Sequence, residues 1–190
     1  MQGSISELIK AVINGSAIAF PTDTVPALAT QPEQAGLIYQ LKQRSPVKPL
    51  ILMAGQSDDL WDFVQGSSAE LTIWQQMTDR YWPGALTLVL PASDLLPIAM
   101  NPTGVKTIGI RVPGCEIAQA ILLQTGPLAT TSANLSDRPA LLTMSAIDQQ
   151  FPEIYTLAMD SELPIAQMPS TIVQWTNHDW QVLRQGRINL

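Results

Sequence analysis

The apolar positions of the chain follow two rhythms, one with helical spacing and one that alternates or runs unbroken. Ile5, Leu8, Ile9, Val12 and Ile13 keep the first, behind a capping-box pattern at Ser4 and Glu7, and Asn14-Gly15 closes the run. SAIAF (16–20) then predicts a strand. EQAGLIYQLKQR (33–44) predicts a helix stopped by Pro46, which also drives Ser45 out of the α region. PLILM (49–53) is a short continuous apolar run of the kind that forms a central strand. Helices are expected over 56–64 and 67–81, then a break at WPG and a strand at ALTLVLP (85–91). TIGIRVP (107–113) alternates, with Ile108, Ile110 and Val112 on one face and Thr107, Gly109 and Arg111 on the other.

Farther along, GCEIAQAILLQTG (114–126) predicts a helix ending in Gly126, and PLATT (127–131) a strand running into SANLSDRP. A short helix over 143–151 precedes the apolar run IYTLAM. A proline-rich loop, ELPIAQMP, leads to STIVQW and DWQVLRQ, and the TNH between those two runs predicts an antiparallel hairpin. Strands alternating with helices before a terminal hairpin imply an α/β fold with a mixed parallel and antiparallel sheet. No repeat, low-complexity stretch or break in composition divides the chain. Residues 1–190 are therefore expected to form one domain, a length sufficient for a full core.

Composition narrows the function classes. A hydrophobic content of 46% and a charged content of 14% describe a compact chain rather than a disordered one. No apolar run approaches the roughly 18 residues that a bilayer requires. MQGSISELIKAVING lacks the layout of a signal peptide, so a cytoplasmic location is expected and no membrane partner. Cys115 is the single cysteine, which excludes an internal disulfide and a thiol cluster around a metal. The single histidine, His178, sits in TNHDW as a turn residue would. A net charge of −6 opposes a general nucleic-acid surface but leaves room for a local basic pocket.

The ten Lys and Arg residues therefore matter by position, and strand ends are where an open α/β sheet is expected to bind. PTDT follows the first strand, with three small hydrogen-bonding residues held between Pro21 and Pro26. In KQRSPVKP, Lys42 and Arg44 lie two apart. An extended segment imposed by Pro46 would turn both to one face and, with Lys48, make a cationic cluster. Arg111 closes the polar face of its strand, Thr130, Ser132 and Asn134 alternate in TTSANLS, Ser170-Thr171 follows a proline, and Arg184 ends the last strand. Cations beside small hydroxyl and amide groups suit an anion with several oxygens. Spacing alone leads no further than a phosphate- or carboxylate-binding site.

Taken in order, PTDTV, KQRSPVKPL, WPGALTLVL, TIGIRVP, PLATTSANLS, STIV and VLRQG resemble the threonylcarbamoyl-AMP synthase family, the YrdC-like domain, over nearly the whole chain. The resemblance is to the single-domain members. It implies a twisted mixed sheet flanked by helices, with a large concave site. The implied reaction joins L-threonine, bicarbonate or carbon dioxide, and ATP into threonylcarbamoyl-AMP and pyrophosphate. Partner proteins then carry the threonylcarbamoyl group to tRNA, and double-stranded RNA binding is a further implied property. By motif position, Arg44, Lys48, Thr107, Ser132, Asn134 and Arg184 would hold ATP, with Lys42 and Arg44 as the catalytic cations. Thr24, Arg111, Thr130 and Ser170 would hold threonine, with Arg111 meeting its carboxylate. No clustered carboxylates suggest a metal cage, so magnesium would ride on the phosphates.

Departures from the family pattern fall beside these positions. PTDTVPAL puts Pro26 and Ala27 where an aromatic and a glycine are usual, and Met53 stands for a common histidine. SANLSD carries Asp137 in place of a glycine, WPGA replaces WPGP, and Gln174 follows STIV where an acid is usual. Two alternatives stay open: a diverged member that binds a nucleotide without this activity, and a double-stranded RNA-binding module.

Overall fold

The computed structural model describes residues 1–159 and 168–190. The chain begins with β1 (Gln2–Gly3), α1 (Ile5–Ile13), β2 (Ile18–Phe20), β3 (Ala27–Thr30), α2 (Gly36–Leu41) and β4 (Ile51–Met53). It continues with α3 (Ser68–Tyr81), β5 (Leu86–Pro91), β6 (Thr107–Arg111), α4 (Glu116–Thr125) and β7 (Leu128–Ser132). The last elements are α5 (Met144–Gln150), β8 (Tyr155–Leu157), β9 (Thr171–Trp175) and β10 (Trp180–Arg184).

The strands form one mixed sheet in the order β1-β8-β2-β3-β7-β4-β6-β5-β9-β10. The pairs β1–β8, β8–β2, β4–β6 and β5–β9 are parallel. The pairs β2–β3, β3–β7, β7–β4, β6–β5 and β9–β10 are antiparallel. The α/β class, the mixed sheet and the terminal hairpin are those the sequence pattern implies.

Local chemistry explains the helices. Ser4 and Glu7 make a complete capping box on α1, and Ser67 and Glu70 make another on α3. Leu8, Ile9, Ala11 and Val12 of α1 are buried, and this helix packs against α4. Helix α4 ends where Gly126 takes a φ of 75°, the left-handed conformation in which glycine carries no Cβ penalty. Among the described residues no helix is long and apolar enough to cross a membrane.

The structure departs from the hydrophobic rhythm in four places. Strands β1 and β3 were not marked by it, because two or four residues are too few for a period, and the ALAT of β3 is buried throughout. The helix expected over 33–44 is a 3₁₀ turn at Pro32–Gln34 followed by the short α2, and Gln43 reverses the chain with a φ of 50°. The helix expected over 56–64 is a 3₁₀ turn at Ser57–Phe63. ELPIAQMP falls largely on 160–167, outside the described residues.

Alternation along the central strands separates core from site. Leu52, Ile108, Ile110 and Ala129 are buried in the core, whereas Ile51, Met53, Gly109, Arg111 and Thr130 line a cavity on the other face. Leu52→Ala would remove a fully buried side chain from β4 and should cost about 3 kcal/mol of stability by urea denaturation. A loss below about 1 kcal/mol would show that β4 is not central to the core.

Candidate functional site

One cavity of about 890 Å³ opens on the polar face of the sheet. Its floor comes from β4, β5, β6, β7 and β9, and its rim from the segments around Pro26, Lys48, Asn134 and Pro169. The site thus lies on a face of the sheet and not only at the strand ends where it was expected. Antiparallel neighbours point their carboxyl ends in opposite directions, so this sheet has no common carboxyl edge, and its polar residues meet on a face instead. Gly109 keeps the floor deep. A Cβ there would already stand 3.3 Å from Cγ1 of Ile51, and anything larger would fill the hollow.

Thr24, Arg44, Lys48, Thr107, Arg111, Thr130, Ser132, Asn134, Ser170 and Arg184 all line this cavity. Lys42 does not, and the expectation that it shares a face with Arg44 is corrected. Helix α2 carries Lys42 into the αR conformation and Gln43 then turns left-handed, so the segment is not extended and the two side chains part. Lys42 is only 1% exposed. Its Nζ donates to the carbonyl oxygens of Ser132 and Asn134, each at 2.5 Å, and to Oδ1 of Asn134 at 3.2 Å. The Ser136 amide donates back to the Lys42 carbonyl. Burial, and next the nearby Arg44 guanidinium, push the ammonium down to about 7. Lys42 thus bolts the loop after β7 to the end of α2.

Asn134 is the other half of that bolt. Its Oδ1 also accepts from the Ser132 hydroxyl at 2.6 Å, and its Nδ2 donates to the carbonyls of Leu135 and Arg138. Arg44 reaches the rim and braces it, donating from Nε to the Lys48 carbonyl and from NH2 to that of Pro49. Burial pushes its guanidinium below the usual arginine range. Lys48 itself pairs with Asp137 at 2.5 Å across the mouth.

At the other end, Arg111 is 2% exposed and ion-paired with Asp23 at 2.6 Å. It also donates to Oγ1 of Thr24 at 3.0 Å and to the Gly84 carbonyl at 2.9 Å. Burial pushes its guanidinium down while the Asp23 carboxylate pushes it back up. Three of its five N–H groups are engaged in this way, which leaves two for a ligand. Arg184 donates to the carbonyl and the hydroxyl of Ser170, and that hydroxyl also bonds Thr87.

Sequence reasoning missed two residues here. Asp23 lay inside PTDT without a role, although an arginine on a buried strand needs a counter-charge. Arg138 lines the cavity, and its place next to SANLSD could have marked it. WPG places Trp82 against the core, and the Gly84 carbonyl also orients Arg111. Pro26, Ala27, Met53 and Gln174 all face the cavity, so these departures sit in the lining itself. Asp137 keeps a φ of 61°, the backbone that a glycine would adopt there.

The family model for Sua5, YciO and YrdC proteins, described as telomere recombination, matches residues 10–186. The chain belongs to this family. A threonylcarbamoyl-AMP synthase of Pyrococcus abyssi is 29% identical over 180 residues, covering 93% of this chain and 52% of that protein. One from Vibrio campbellii is 30% identical over 190 residues, covering 96% and 99%. The crystal structure of P. abyssi Sua5 complexed with L-threonine has a TM-score of 0.86 at 28% identity, covering 96% of this chain and 54% of that one. The chain thus spans about half the length of the P. abyssi relative and nearly all of the Vibrio one.

Two substitutions test the architecture of this site in the Sua5/YciO/YrdC chain. Lys42→Met should cost about 2 kcal/mol in urea denaturation, because three oxygens lose their donor. A neutral outcome would mean that the ammonium is not the bolt. Asp23→Ala leaves Arg111 buried without a counter-charge and should cost about 3 kcal/mol. Stability equal to the parent would refute the pairing.

Proposed function

We propose that the chain is a threonylcarbamoyl-AMP synthase, a nucleotidyltransferase that forms threonylcarbamoyl-AMP and pyrophosphate from ATP, L-threonine and bicarbonate or carbon dioxide. The observation that carries this reading is the charge of the cavity. Arg44, Lys48, Arg111, Arg138 and Arg184, half of the ten Lys and Arg residues of a chain with net charge −6, line one hollow. No Asp or Glu is among the described lining residues. A volume of about 890 Å³ suits a nucleotide together with a small amino acid. The names of the relatives and the threonine bound to P. abyssi Sua5 support the same substrates.

Hydrogen-bond directions support two ends with different tasks. The Thr130 hydroxyl donates to the Ile51 carbonyl and so keeps only acceptor capacity. The Thr22 hydroxyl donates to the Val25 carbonyl, which makes Thr24 the donor in the Thr22–Thr24 bond. Thr24 and Thr130 therefore offer only acceptors, suited to the amine of threonine, and the two spare N–H groups of Arg111 suit its carboxylate. Ser170 completes this threonine end. Arg44, Lys48, Thr107, Ser132, Asn134 and Arg184 would receive ATP at the other, with Lys42 holding the Ser132–Asn134 loop rather than touching the ligand.

In this reading the amine attacks the carbon of carbon dioxide and loses a proton. A carbamate oxygen then attacks the α-phosphorus, and the bond to the pyrophosphate oxygen breaks. Charge grows on the phosphoryl oxygens and on the leaving group, where fixed cations lower the barrier. Holding the reactants in place supplies much of the remaining acceleration, so no nucleophilic side chain is required. Magnesium brought in with ATP would be carried by phosphate oxygens. Among the described residues no three His, Cys, Asp or Glu side chains come together to hold a metal. The product is an activated acyl donor, and the downstream acceptor in this reading is tRNA, reached through threonylcarbamoyl-transfer proteins. With half of its cations inside the cavity, the chain has little basic surface left for double-stranded RNA.

Purified protein with ATP, threonine and bicarbonate should release pyrophosphate only when all three are present. Release that ignores threonine or bicarbonate would overturn the proposal. Arg44→Ala should keep the fold and weaken ATP binding about ten- to hundredfold by calorimetry, as expected for a lost charge-assisted hydrogen bond. Unchanged affinity would remove Arg44 from the site.

A further inference from the structure

The mouth of the cavity carries an ion pair that the reaction outlined above does not use. Lys48 lies on the segment between α2 and β4, and Asp137 on the loop after β7, 89 residues away in sequence. Their side chains meet at 2.5 Å while remaining 43% and 79% exposed, so the bond sits in water and exchanges readily. Lys48 lines the cavity, and so does Arg138, the residue next to Asp137. Among the described residues only the backbone of Arg138, not its side chain, is hydrogen-bonded. The ion pair therefore neutralises one of two neighbouring cations and leaves the other open.

The loop that bears Asp137 is held in place. Asn134 ties the carbonyls of Leu135 and Arg138, and the Ser136 amide is bonded to the Lys42 carbonyl. If an anionic ligand draws Lys48 away, the Asp137 backbone cannot carry its carboxylate off, and that charge stays beside the incoming one.

We propose that Asp137 is a built-in competitor for the polyphosphate: it holds Lys48 until a phosphate takes its place, and it reclaims Lys48 as pyrophosphate leaves. The residue acts through Lys48 and touches no reacting atom. It determines specificity by charge, since ligands with the most negative charge at the mouth meet the strongest competition. ATP and pyrophosphate are held back, whereas AMP is little affected. The inference rests on the ATP reading of the cavity and deepens it.

Calorimetric titration of the full chain with sodium pyrophosphate, ATP and AMP tests the idea. Asp137→Asn removes the charge and tolerates the left-handed backbone, and Asp137→Gly suits that backbone outright. Both should bind pyrophosphate and ATP about three- to tenfold more tightly than the parent at low salt, with AMP changed less than about twofold. The gain should shrink as salt is raised, because the pair is exposed. In a Lys48→Ala background the Asp137→Asn gain should shrink to the part that direct repulsion between carboxylate and phosphate supplies, an outcome that a purely structural role of Asp137 would not produce. Equal or weaker pyrophosphate binding by both Asp137 variants overturns the proposal, as does a gain that is undiminished without Lys48. If the three-substrate assay fails while Asp137→Asn still tightens pyrophosphate binding, the synthase reading falls and the competitor stands. If synthesis proceeds and the variants bind like the parent, the competitor alone falls. No pyrophosphate binding by parent or variant removes both.

Discussion

The Lys42 ammonium lies out of water between the end of α2 and the loop after β7, gripped by two backbone carbonyls and one side-chain amide. A buried charge is tolerable only when its donors are all matched, and here three N–H groups meet three oxygens. The cavity depends on that arrangement. Residues 132–136 carry Ser132 and Asn134 to the wall, the same loop continues to Asp137 and Arg138 at the mouth, and α2 leads directly into Arg44 and Lys48. Two segments some 90 residues apart are thus held in register by one side chain, which itself does not line the cavity.

A second buried pair does the same at the opposite end. Arg111 on β6 is held by Asp23, by Thr24 and by the Gly84 carbonyl, which brings the PTDT loop and the turn after α3 against the centre of the sheet. The C-terminal segment joins in, since Arg187 donates to the Asp23 carbonyl at 2.8 Å. The two ends differ in character. At the Arg111 end most polar groups are committed to one another and little freedom remains. At the mouth, Lys48 and Asp137 are exposed and exchangeable. A rigid end suits the selection of a small amino acid, and a yielding end suits the entry and departure of polyphosphates.

The mixed sheet makes this division possible. With antiparallel pairs interleaved among parallel ones, β4, β6 and β7 place alternate residues on a single polar face, and five cations converge over it. The chain is acidic as a whole while half of its cations line the hollow, so positive charge is concentrated where an anion would be drawn in.

The sequence by itself was enough for the fold class, the family and most of the polar lining. Alternation in TIGIRVP already set Thr107 and Arg111 on the face opposite Ile108 and Ile110, and the hairpin of β9 and β10 followed from two runs with a turn between them. Such features are local, set by period and by turn chemistry within a few residues. What the tertiary structure decided was direction and partnership. Lys42 and Arg44 are near neighbours in the chain, yet a left-handed Gln43 sends one into the interior and the other to the cavity rim. Asp23 finds Arg111 across 88 positions, and Asp137 finds Lys48 across 89. Charge pairing over such separations leaves no period in the sequence, because it depends on how strands are ordered in the sheet and not on how residues are spaced along the chain.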